Sequence, residues 1–86
     1  MEPFFGEAVS PLTALGAVAV DAAKAGNVEL VNTALGKMGD FMQRCQAARQ
    51  SALQLARHGL RMQAIDIASG IADGEMRDQT LTELAH

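Results

Sequence analysis

Residues 52–77 read Ala52-Leu53-Gln54-Leu55-Ala56-Arg57-His58-Gly59-Leu60-Arg61-Met62-Gln63-Ala64-Ile65-Asp66-Ile67-Ala68-Ser69-Gly70-Ile71-Ala72-Asp73-Gly74-Glu75-Met76-Arg77. Ala52, Leu55 and Ala56 share one face of a helix, because residues three and four apart lie above one another. Arg57-His58-Gly59 closes that helix: cationic side chains favour the negative end of the dipole, and glycine accepts the left-handed conformation that ends many helices. Leu60, Ala64, Ile67, Ala68 and Ile71 give the next helix its inward face. Asp73-Gly74 opens another, since an Asp carboxylate accepts hydrogen bonds from the free N–H groups of a first turn. Its apolar face is Met76, Leu81 and Leu84. The stretch predicts an antiparallel helical hairpin that hands over to a further helix.

Working outward, Asp40 is the N-cap of a long helix carrying Phe41, Cys45, Ala48, Ala52, Leu55 and Ala56 on its apolar face. Before it, Val28, Val31, Leu35 and Met38 mark a helix that stops near Gly39. Ser10-Pro11 starts an earlier one over 11–25, with Leu12, Leu15, Ala19, Ala22 and Ala23 inward and Gly26-Asn27 as its end. Residues 1–9, with Pro3 and Gly6, read as an irregular leader ahead of a single domain over 10–86. No strand-type alternation occurs. The fold class predicted is all-α: about five helices, in two stacked antiparallel hairpins plus a C-terminal capping helix.

Composition agrees. Phe4, Phe5 and Phe41 are the only aromatics, and a core of Ala, Leu, Ile and Met suits closely packed helices better than a sheet. A chain of 86 residues buries a modest share of its surface, and Cys45, being alone, forms no intrachain disulfide to reinforce it. Net charge is −3, and Lys24, Lys37, Arg44, Arg49, Arg57, Arg61 and Arg77 are scattered, so no basic patch points to nucleic acid. The uncharged run over 8–20 is shorter than a membrane span requires and contains Pro11. Its acidic flank does not fit a secretory leader, and a lone cysteine fits a reducing compartment, so a cytoplasmic location is expected.

Shifting the chain against itself by 33 residues aligns Ala19 with Ala52, Ala23 with Ala56, Gly26 with Gly59, Asp40 with Asp73, Arg44 with Arg77, Gln46 with Gln79 and Ala52 with Ala85. The glycines fall at equivalent turns and the aspartates at equivalent N-caps. A hairpin cannot bury its apolar face alone, so stacked hairpins share one core, and small residues such as Ala19, Ala23, Ala52, Ala56, Ala64 and Ala68 allow close approach.

In this arrangement, Ala52 midway along one helix, Gly59 at the turn and Ala64 early in the next resemble the small-residue pattern of a tetratricopeptide repeat. Residues 71–85 are similar to the hand-over between degenerate repeats of that family. The preceding unit keeps Ala19 and Gly26 but has Val31 where an alanine is expected, and neither unit has the family's large aromatics or closing proline. The resemblance spans roughly 12–86 and implies a protein-binding scaffold. Small acidic proteins of this architecture resemble co-chaperones that guard type III secretion subunits.

If the hairpins stack in that manner, the first helix of each pair lines a concave face. Gln46, Arg49, Leu53 and Arg57 would lie on it, with Val20 and Lys24 one repeat earlier. Such a surface suits a helix or peptide of a partner protein. Phe4 and Phe5, outside any helix, are further candidates for contact with a partner. Met38, Phe41, Met42 and Met62 are adaptable packers, read mainly as core filler. His58 is read as a helix-end residue, and His58, His86 and Cys45 do not form a zinc pattern. Cys45 is expected to be a buried, inert thiol, since no His or acidic partner lies near it in sequence. No catalytic motif, metal site or cofactor is expected. The function expected is a chaperone or adaptor; the competing expectation is a self-assembling homo-oligomer that pairs through the Ala-rich face of 11–25.

Overall fold

A computed structural model describes residues 14–85. They form five helices: α1 (Ala14–Lys24), α2 (Val28–Lys37), α3 (Phe41–Arg57), α4 (Arg61–Ser69) and α5 (Gly74–Ala85). No strand occurs among the described residues. The all-α class and the packed hairpins are as the sequence predicts. The Ser10-Pro11 helix start, Leu12, the leader with Phe4 and Phe5, and His86 lie outside the described residues.

α1 pairs with α2 and α3 with α4, while α3 also packs on α1 and α5 packs on α3 and α4. The centre of this stack is Leu55, fully buried among Ala22, Ala23, Val31, Cys45, Ala52, Ala64, Ile67 and Ala68. Alanine dominates because it lets helix backbones come together without opening voids.

The sequence repeat is also a repeat of hydrogen bonds. At the end of α1, Gly26 N–H donates to the Ala23 carbonyl (3.0 Å) and Asn27 N–H to the Ala22 carbonyl (2.8 Å). At the end of α3, Gly59 N–H donates to Ala56 (3.1 Å) and Leu60 N–H to Leu55 (2.9 Å). Both glycines are left-handed, with φ of 78° and 88°, which a side chain would disfavour. The two turns touch: the His58 ring lies against Gly26, 2.8 Å from where a Cβ would stand.

The caps repeat as well. Asp40 Oδ1 accepts from Gln43 N–H at 2.8 Å, and Asp73 Oδ1 accepts from Glu75 and Met76 N–H at 3.0 and 3.1 Å. Removing either carboxylate leaves first-turn donors to water. Asp40→Ala and Asp73→Ala are each expected to cost about 1 kcal/mol, measured by urea denaturation. In Asp73→Ala, faster hydrogen exchange should be confined to the first turn of α5.

α5 works as a terminal cap. Thr80 and Leu84 are buried against the stack, whereas Glu75, Asp78, Gln79, Thr82 and Glu83 face water, the polar outer surface that the end of a helical stack requires.

Two expectations about packing are corrected. Phe41, expected on the apolar face of α3, is 47% exposed. α3 has 17 residues and α4 has nine, so the first turn of α3 overhangs its antiparallel partner. Of the methionines read mainly as filler, Met38 is buried, but Met42 and Met62 are 47% and 74% exposed. Met42 shares the overhanging turn, and Met62 lies on the solvent side of α4, away from Ala64, Ile67 and Ala68.

Candidate functional site

The expected concave face of α3 does not form one open groove. Gln46 and Arg49 line a shallow cleft with Gln50, Met76 and Gln79. Leu53 and Arg57 line a second one with Ala56, Arg61, Glu83 and Leu84. α5 supplies a wall of both, and Arg49 Nη2 is held by Glu83 Oε2 at 2.7 Å. This pair is partly exposed and contributes about 0–1 kcal/mol, so it orients side chains more than it stabilises the fold. Leu53 is half-buried and packs against the core.

Val20, the equivalent position one repeat earlier, is only 9% exposed, because α1 lies against α3. It therefore belongs to the interior and not to a binding face. Lys24 is exposed at the end of α1. The buried alanines of α1, Ala19, Ala22 and Ala23, are likewise internal. Only Ala14, Ala17 and Val18 give α1 an exposed apolar strip.

A larger groove, of about 510 Å³, lies on the opposite side, between α2 and α4. Val28, Asn32, Leu35 and Gly36 of α2 form one wall, at the spacing of one helical face. Gln63, Asp66 and Ile67 of α4, with Gly70 at its C-cap, form the other, and Ile71 and Ala72 close one end. Arg44, Cys45 and Ala48 of α3 make the floor. The groove exists because α2 packs on α1 far more than on α3, leaving its other side turned toward α4 without filling the space.

Small residues keep this groove open. Ala48 is the smallest of the floor residues, and a Cβ at Gly36 would meet nothing within 4 Å. Gly36 thus lies in the last turn of α2 for no packing reason, although glycine inside a helix is about 1 kcal/mol less favourable than alanine. The interior is aliphatic with one thiol, and the rim is polar, which matches the apolar lining and few polar groups of binding sites in general.

Sequence periodicity marks Val28, Leu35, Cys45 and Ile67 as inward-facing, but it does not separate a filled core from an unfilled groove. The signal that points to the groove is Gly36, a helix-disfavouring residue within an otherwise regular helix. Among the described residues, no group of three or more His, Cys, Asp or Glu side chains is placed to hold a metal ion. No helix among them is long and apolar enough to cross a membrane. No protein-family model matches the chain, and no curated protein or solved structure matches it.

Proposed function

We propose that this chain is a protein-binding module, a chaperone or adaptor that holds a helix of a partner protein in the groove between α2 and α4. The observation that carries this reading is an aliphatic groove of about 510 Å³ with a polar rim. A cavity of about 150 Å³ accepts one benzene-sized group, so this groove has room for about three such side chains. An amphipathic helix presents about three to four apolar side chains per two turns. Guarding a secretion-system subunit in the cytoplasm is one form such a function takes.

Gly36 provides the test, since a side chain there enters open space and improves helix propensity. Against a partner captured from the native host and then purified, Gly36→Leu should weaken binding at least tenfold by calorimetry while preserving helicity. Arg57→Glu, on the α3 face, should leave binding unchanged. The reverse pattern would move the site to the Gln46–Arg57 face. A wild-type chain that forms stable homo-oligomers and ignores every candidate would favour self-assembly instead.

A further inference from the structure

The rim of the groove carries two unlike charges. Arg44 lies in the first turn of α3, and Asp66 lies on α4 beside Ile67. Both are exposed, and among the described residues neither forms an ion pair. They are not level with one another. Since α3 and α4 run antiparallel from the Gly59 turn, Arg44 lies at the end closed by Ile71 and Ala72. Asp66 lies about 12 Å, or about two helical turns, away along the groove at about 1.5 Å per residue. The remaining polar residues of the rim, Asn32 and Gln63, are uncharged. The rim is thus a positive charge at one end followed by a negative charge further along, and it has a direction.

From this we infer that the groove selects an amphipathic helix of one polarity: an acidic residue over Arg44, a basic residue about two turns later over Asp66, and an aliphatic stripe between them against Val28, Leu35, Ala48 and Ile67. An acidic residue N-terminal to a basic one is also the favourable order within a helix, through the dipole. The bound helix therefore enters with its N-terminus at the Arg44 end and runs antiparallel to α2 and α4. Unlike charges brought together across an interface fix register and reject the reversed arrangement. This inference rests on the groove being the protein-binding site.

The test uses the full chain and two designed helical peptides with the same leucine stripe. One has Glu preceding Lys by two turns; the other has Gln at both positions. The charged peptide should bind at least tenfold more tightly than the neutral one, and on the double variant Arg44→Glu/Asp66→Lys it should bind with its N-terminus at the opposite end of the groove. Both substituted positions are exposed, and unchanged far-UV circular dichroism would verify folding. Methyl resonances of Val28, Ile67 and Ile71 should shift on binding, and a spin label on the peptide N-terminus should broaden signals near Arg44.

Equal affinity of the two peptides, with those methyls still shifting, would overturn the charge register and leave the groove as the site. Absence of shifts there would overturn both. Two further outcomes would replace the partner helix as occupant. Tighter binding of either peptide to Phe4→Ala/Phe5→Ala would make it the chain's own leader. Peptide-driven dissociation of a dimer seen by light scattering would make it a second copy.

Discussion

Leu55→Ala should lower the melting temperature by roughly 10–30 °C, from a loss of about 2–5 kcal/mol in a domain of this size. Leu55 is fully buried and has the largest side chain among the fully buried residues. Six of the eleven other buried residues of its cluster are alanines, which have no side-chain torsion with which to fold into a vacated space. The helices around it cannot close either, because the Gly26 and Gly59 turns fix where each hairpin bends. The cavity would therefore persist, and the cost should fall toward the upper half of that range. Met62→Ala, at a residue 74% exposed, removes as many heavy atoms and should shift stability by no more than about 0.5 kcal/mol. Thermal melts followed by circular dichroism check both. Equal shifts for the two variants would remove Leu55 from the centre of the core.

Gly26→Ala should destabilise more than Gly59→Ala, although the two glycines close equivalent turns. Each substitution puts an L side chain into the left-handed region, at about 1–2 kcal/mol. At Gly59 that is the whole cost, since nothing lies within 4 Å of the new Cβ. At Gly26 the new methyl would stand 2.8 Å from His58 Cε1 and 3.1 Å from Nδ1, so the imidazole must swing off the turn. The lost contact should add about 1 kcal/mol, within the usual range for coupled neighbours. A double-mutant cycle with His58→Ala isolates it. In the His58→Ala background, Gly26→Ala and Gly59→Ala should cost the same. A difference that survives the loss of the imidazole would refute the contact.

Helix identity and helix ends were readable in the sequence because they depend on local chemistry. Asp40 and Asp73 cap the turns that follow them, and Gly26 and Gly59 end α1 and α3, whatever the rest of the chain does. Val31 shows how far the pattern goes. It departs from the alanine at the equivalent Ala64, yet both residues are fully buried, so the position requires burial and tolerates a change of size. The site was less legible. Whether Val20 faces solvent depends on how closely α3 approaches α1, and whether Phe41 is covered depends on the length of α4. The gap between α2 and α4 likewise arises from how the second helix of one hairpin leans relative to the next. None of these is a property of a single helix, so no periodicity within one helix encodes them.

The helices of this molecule pack mainly on those one or two places away along the chain. Together with the matched turns and caps, that makes the joint at each glycine interchangeable with the next. Duplicating the segment from one glycine to just before the other would add a hairpin in phase, with its cap and its turn. It would also add a second groove of the same kind beside the first. Chain length in this architecture could then grow by gene duplication, one hairpin at a time.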